Sequence, residues 1–160
     1  MYRKILLAYD GSAEGRRALR EGATLAFRCN AEVFLLAVVD NSAGIGTADG
    51  VYTGIIAEEK ETYEAVLAEG VQRLQAIGFT PEYRLGWGQP GPEIVAVARE
   101  IGADLVVAGH RHKGALEQWW SGSVGIYLVK HLRCSVLIGQ SEISDEQFAT
   151  MTQPRATSPS

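Results

Sequence analysis

The sequence lacks three features that would each define a class of protein. Two cysteines among 160 residues, Cys29 and Cys134, are too few for the disulfide framework of a small secreted domain. No apolar run approaches the roughly 18 residues of a membrane-spanning helix, and the apolar stretch near the N-terminus is too short for a signal peptide. Positive charge is not in excess either, because 19 acidic residues outnumber 15 basic ones. We therefore expect a cytoplasmic protein with no membrane span and no nucleic-acid partner.

What the sequence does have is the composition of one packed domain, with 46% hydrophobic and 21% charged residues. Short unbroken apolar runs occur at 5–8, 33–39, 105–108 and 135–138, and an alternating run occurs at 81–87. Unbroken runs are typical of strands whose two faces are both covered, whereas the alternating run is typical of a more exposed strand. Helical spacing of apolar residues fills 13–27, 58–77, 92–101 and 123–131. The alternation predicts a doubly wound α/β fold, with a mainly parallel sheet and helices on both faces.

Two stretches stand apart from this alternation. Residues 41–54 contain four glycines and little hydrophobic pattern, which predicts a long loop. Residues 141–160 lose apolar periodicity and end in a segment rich in proline, serine and threonine. We therefore expect one folded domain over 1–140, followed by a disordered tail over 141–160.

Polar and glycine residues follow two of the predicted strands, where ligands bind in open parallel sheets. The first strand leads to Asp10, and the fourth leads to Gly109, with Arg111 close behind it. Further on, Gly122 and Ser123 precede a predicted helix. Glycines and a helix N-terminus let backbone N–H groups reach an oxyanion, and Arg111 adds positive charge, so this part suits a polyphosphate. Asp10 is an acceptor and suits a ribose hydroxyl or an adenine amine.

The common nucleotide motifs are absent. There is no Gly-x-x-x-x-Gly-Lys-Ser/Thr run, and the glycines at 44, 46 and 50 have the wrong spacing for a dinucleotide-binding motif. After the fourth strand, Gly109 is followed by two residues and His112, and then by nine residues and Gly122-Ser123. With glycine at the position of His112, this is the pattern Gly, two residues, Gly, nine residues, then Gly-Ser or Gly-Thr of the universal stress protein family. Segments 4–12, 88–90 and 102–107 also match that family. Over about 2–140, the chain therefore resembles the single-domain universal stress proteins.

The resemblance implies a five-stranded sheet of order 3-2-1-4-5, a homodimer formed through the last strand, and binding of ATP, ADP or AMP. Mg²⁺ would accompany ATP only through the phosphates. By position, Asp10 would meet the adenosine, and the Val38 backbone would lie against the base. The residues from Gly109 onward would hold ribose and phosphates. The full set of expected nucleotide-binding residues is Ala8, Asp10, Val38, Ala108, Gly109, Arg111, His112, Gly122, Ser123 and Val124.

Several alternatives remain open at this point. Asp10 could simply cap the turn into the first helix, and Gly109 and Gly122 could simply permit tight turns. The β-carbon of His112 could block the phosphates, or its ring N–H could bind one. No general base or third metal ligand accompanies His110 and His112, so we expect no catalytic residue and no protein-bound metal. The leading hypothesis is a regulatory nucleotide-binding module for stress responses. A dimeric interaction protein that has lost the nucleotide, or a slow nucleotide hydrolase, are the alternatives.

Overall fold

A computed structural model describes residues 1–40, 51–109 and 122–153. Strands and helices alternate along these ranges. In chain order they are β1 (Lys4–Ala8), α1 (Ala13–Cys29), β2 (Glu32–Val39), α2 (Val51–Ala76), β3 (Glu82–Trp87), α3 (Pro90–Ile101), β4 (Leu105–Gly109), α4 (Gly122–His131), β5 (Ser135–Gly139) and α5 (Asp145–Met151). None of the helices in these ranges is long and apolar enough to cross a membrane.

The described strands form one parallel sheet of order β3-β2-β1-β4-β5, which confirms the predicted fold class. Ala8 of β1 pairs with Leu36 of β2 on one side and with Ala108 of β4 on the other. The chain leaves β1 toward β2 and returns across the sheet to β4, so the strand order reverses between β1 and β4. In open α/β sheets, ligands bind at the carboxyl ends of the strands beside such a reversal.

Successive side chains of each strand point to opposite faces of the sheet, and each face has its own buried cluster. On the first face, Ile5 and Leu7 of β1 pack with residues of α1, α2 and α5. On the second face, Leu6 and Ala8 pack with residues of α3 and α4. The strands are therefore apolar on both faces, which explains why the runs at 5–8 and 105–108 do not alternate.

Local chemistry sets the ends of the helices. The hydroxyl of Ser12 accepts a hydrogen bond from the Gly15 backbone N–H at 2.9 Å and so caps the start of α1. Asn30, in the left-handed conformation with φ 52°, ends that helix. Pro90 lies in the first turn of α3, and Gly102, with φ 68°, ends it.

Two sequence-based boundaries are corrected by the structure. Helix α2 begins at Val51, so residues 51–54 of the expected loop are helical, and 41–50 lie outside the described residues. The glycine at 54 lowers helix propensity, but a single glycine does not stop a helix of 26 residues. The expected disordered tail is wrong for 141–153, because α5 forms there and Phe148 is buried on the first face. A single buried aromatic residue forms no periodic pattern, so apolar spacing could not predict this helix. Residues 154–160 lie outside the described residues.

Candidate functional site

Asp10 lies directly after β1 and organises the turn into α1. Its Oδ1 atom accepts hydrogen bonds from the Ser12 backbone N–H at 3.0 Å and from the Ser12 hydroxyl at 2.5 Å. A β-carbon on Gly15 would lie 2.5 Å from the same oxygen, so a side chain there would displace the carboxylate. Asp10 is half-buried, and its position depends on the first turn of α1. The turn-capping role is thus present, and contact with a ligand remains a prediction.

Gly109 ends β4 and lies against the same turn of α1. A β-carbon at Gly109 would lie 2.7 Å from the carbonyl carbon of Glu14 and 2.9 Å from the backbone nitrogen of Gly15. Its φ is not positive, so a tight turn does not require this glycine. The reason for glycine is the close approach of the helix backbone to the strand end. Asp10 and Gly109 therefore meet the same residue, Gly15, from neighbouring strands.

Four of the expected site residues, here called the floor residues, are buried on the second face of the sheet. Ala8, Val38 and Ala108 are at most 5% exposed, and Val124 of α4 is 8% exposed; all four belong to the second-face cluster. Val124 lies in the first turn of α4 and is buried in the same cluster as Ala8 and Ala108. Because α4 connects the parallel strands β4 and β5, it begins on the carboxyl-end side of the sheet. The first backbone N–H groups of a helix have no partner within the helix and favour anions.

The remaining expected residues divide into two groups. Gly122 and Ser123 occupy the first two positions of α4. Arg111 and His112 lie outside the described residues. Arg111 is the residue expected to add positive charge, and His112 is the one that departs from the glycine pattern. Within the described part, the structure thus brings together Asp10, Gly109, the four floor residues and the start of α4.

Sequence reasoning missed Gly15, whose missing side chain lets the Asp10 carboxylate lie close to the first turn of α1. A signal for it existed, because a glycine inside a helix costs about 0.5–1 kcal/mol relative to alanine and so indicates a packing requirement. The pattern of apolar residues could not show which partner requires the close approach. Only the fold shows that the partner is the Asp10 carboxylate after β1.

An ionic cluster joins α1 to α2 beside Tyr9, the residue before Asp10. Glu69 Oε1 accepts from Arg16 Nε at 2.9 Å and from Arg73 Nε at 2.7 Å. Burial alone would raise the pKa of Glu69, but the hydrogen bonds from Arg73 and Arg16 hold its pKa below the usual value. Tyr9 is fully buried, and burial raises the pKa of its phenol even though Arg16 lies beside it. The Tyr9 hydroxyl makes no well-formed hydrogen bond to any described residue.

Comparison with known protein families shows to which family the chain belongs. Residues 1–139 match the model of the universal stress protein family. The chain belongs to that family. It is 32% identical over 151 residues to a universal stress protein of Synechocystis, covering 87% of this chain and 98% of that protein. It is 32% identical over 139 residues to one of Methanocaldococcus jannaschii, covering 86% and 82% of the two chains.

Solved structures of the family share the fold. A family member from Burkholderia pseudomallei has a TM-score of 0.69 and 29% identity over 86% of this chain and 95% of its own. A universal stress protein solved in complex with cAMP has a TM-score of 0.66 and 24% identity, covering 88% and 99% of the two chains. The one from Archaeoglobus fulgidus in complex with dAMP has a TM-score of 0.63 and 21% identity, covering 87% and 98%. The universal stress protein family identified from the sequence is thus confirmed.

Proposed function

We propose that this universal stress protein binds an adenine nucleotide at the carboxyl ends of β1 and β4 and acts as a regulatory module in a stress response. One observation carries the proposal. At the reversal of strand order, Asp10 and Gly109 meet one turn of α1, and the start of α4 reaches the same end of the sheet. Family members solved with cAMP and dAMP share this fold, which supports a nucleotide site on a sheet of this kind.

The residues at this position suit the parts of a nucleotide. The carboxylate of Asp10 accepts hydrogen bonds and matches a ribose hydroxyl or the adenine amine. The first N–H groups of α4, at Gly122 and Ser123, are donors beside a partial positive charge and match a phosphate. Arg111 and His112 would add to the phosphate side, and Mg²⁺ would accompany ATP through the phosphates alone. ATP, ADP and AMP all present these groups.

Isothermal titration with AMP, ADP and ATP tests the proposal. Replacement of Asp10 by Asn removes the charge at nearly constant shape, and we expect it to weaken binding of all three nucleotides. Glu82→Gln is the matched control, because it removes one charge from an exposed residue at the start of β3, the opposite end of the sheet. Equal affinities of wild type and Asp10→Asn would contradict the assignment of Asp10. Absence of binding by the wild type would favour the dimeric interaction protein without a nucleotide.

His112 sets how tightly triphosphate is held. We expect His112→Gly to strengthen ATP binding, because removal of the β-carbon lets the backbone approach the phosphates. Unchanged or weaker binding would instead assign the imidazole a place beside the phosphates. A phosphate-release assay on the wild type separates the regulatory module from the slow hydrolase, since rapid release dependent on Asp10 would favour the enzyme.

The proposed assembly is a cytoplasmic homodimer formed through β5. This strand lies at one side of the sheet, and Ile126 and Val129 of the preceding helix are 57% and 72% exposed. Both observations support burial of β5 and α4 against a second copy, because edge strands and exposed apolar patches favour association. Native mass spectrometry reports the assembly and any co-purified nucleotide together. We expect a dimer that Val129→Asp converts to monomer, whereas a wild-type monomer would overturn this part of the proposal.

A further inference from the structure

The segment 140–152, here called the C-terminal strap, lies beyond the part of the chain that matches the family model. It nevertheless has its own internal order. Ser144 and Gln147 form a capping box at the start of α5, with hydrogen bonds of 2.9 and 3.1 Å between them. At the other end of α5, the Thr152 hydroxyl donates to the Phe148 carbonyl oxygen at 2.8 Å. These hydrogen bonds show that the strap contains a capped helix of its own after β5.

The polar contacts of the strap with the rest of the described chain converge on one turn of α1, Arg17 to Glu21. Arg20 Nη1 donates to the Ile143 carbonyl oxygen at 2.9 Å and pairs with Asp145 at 2.6 Å. The other pairs that share this turn are Arg17 with Glu142 and Glu21 with Ser141.

Phe148 provides the apolar part of the same contact. It is 7% exposed and belongs to the first-face cluster, and the Arg20 guanidinium lies 5.5 Å from the centre of its ring. Exposed ion pairs contribute little individually, since solvent and salt screen them. Burial of the aromatic ring is therefore the main attraction that holds the strap on α1.

The ends of two strands also lie close to the first half of α1. A β-carbon on Gly139, the last residue of β5, would lie 2.6 Å from the Ala18 α-carbon. A β-carbon on Gly109 would lie 2.7 Å from the Glu14 carbonyl carbon. The first half of α1 is thus in contact with both the strand ends and the strap. Because Gly15 also borders Asp10, a small displacement of α1 changes the carboxylate's surroundings.

We propose that the C-terminal strap fixes the first turns of α1 and thereby sets the geometry of the nucleotide site, with Phe148 and Arg20 as positioning residues. The effect on nucleotide affinity rests on the proposed function. The effect on α1 does not, so it can be measured in the protein without a ligand. The two effects therefore need separate measurements.

Hydrogen exchange of the full-length protein measures the first effect, at the amides of Gly15 and Arg16, which bond to Ser12. We expect Phe148→Ala to accelerate exchange at these two amides several-fold at a temperature where the protein stays folded. Phe148→Leu, which keeps an apolar side chain, should restore most of the protection. Arg20→Met, which keeps the aliphatic stem and removes the hydrogen bonds, gives a second and milder variant. AMP titration of the same variants should show weaker binding in the same order.

Val97→Ala is the matched control, because Val97 is 2% exposed on α3 and its loss destabilises the second face instead. It should lower the melting temperature without a selective change at Gly15 and Arg16. The proposal is overturned if Phe148→Ala lowers the melting temperature but leaves exchange in the first turn of α1 like that of the control. Failure of the wild type to bind AMP would contradict the proposed function and leave the exchange result to decide the role of the strap.

Discussion

The two faces of the sheet hold their helices in different ways. On the first face, α1 approaches so closely that its backbone fills the space where side chains of Gly109 and Gly139 would be. On the second face, a β-carbon on Gly91 of α3 would lie nearest to the Tyr127 side chain, and one on Gly125 of α4 would meet no described atom within 4 Å. Backbone contacts cannot adjust, whereas side chains can rotate. We therefore expect the first face to hold α1 more rigidly than the second face holds α3 and α4.

This difference matters because the closely held helix is the one that borders Asp10. The first face adds polar links to the close packing, namely the cluster around Glu69 and the C-terminal strap. The second face supplies the buried floor and, on its outside, exposed apolar residues of α4. The first face thus carries the contacts that position Asp10, and the second face carries the exposed apolar residues on which the proposed dimer depends.

The largest expected effect is on the free energy of unfolding, when a glycine on either face is replaced by alanine. Gly109→Ala should lower the free energy of unfolding by about 3 kcal/mol, because the new β-carbon meets helix backbone. Gly125→Ala should raise it by about 0.5–1 kcal/mol, because alanine is the better helix former and space is available. Urea denaturation followed by circular dichroism measures both. Equal destabilisation by the two substitutions would remove the proposed contrast between the faces.

A smaller effect is expected from Glu69→Gln, and it should depend on pH. The pKa of Glu69 is lower in the folded protein than its usual value. Its contribution is therefore complete above the pKa of the unfolded chain and is lost as pH falls through the folded pKa. We expect a destabilisation of about 1 kcal/mol at pH 7 that shrinks toward pH 3.

Melting temperatures of wild type and Glu69→Gln between pH 3 and pH 7 test this expectation. Glu61→Gln, at an exposed position on the same helix, is the control. A difference between wild type and Glu69→Gln that stays constant with pH would show that the cluster does not stabilise the first face through charge.

The smallest expected effect is that of Tyr9→Phe. The buried hydroxyl has no well-formed hydrogen bond in the described part of the chain, and burial of such a group is costly. Its removal should therefore leave stability unchanged or raise it by about 1 kcal/mol. Thermal unfolding measures the change. A clear loss of stability would instead show that the hydroxyl interacts productively with Arg16 and belongs to the polar links of the first face.

The strands, most helix ends and the fold class were predictable because each depends on local pattern. The run at 33–39 predicted β2, and Ser12 predicted the start of α1 through its side-chain hydroxyl. The structured strap was not predictable in the same way. Its anchor is a single residue, Phe148, which packs in the first-face cluster and beside Arg20, a residue more than 100 positions earlier in the chain.

The candidate site shows the same division. The polar and glycine residues at strand ends pointed to Asp10 and Gly109, because a parallel sheet collects its strand ends on one side. The structure shows a packing reason for glycine at position 109 in addition to the predicted phosphate contact, which stays a prediction. The packing is against Glu14 and Gly15, and no pattern within 108–114 contains that information.

The sequence by itself determined the alternation of strands and helices, the family and the end of the sheet where a ligand would bind. Periodicity, capping and motif spacing are local properties, and the sequence contains them directly. Only the tertiary structure decided which glycines make room for α1, how the strap reaches Arg20, and which face of the sheet a helix backbone approaches closely. These outcomes depend on distances of a few tenths of an ångström between segments far apart in the chain. Such distances arise only when all the elements pack together.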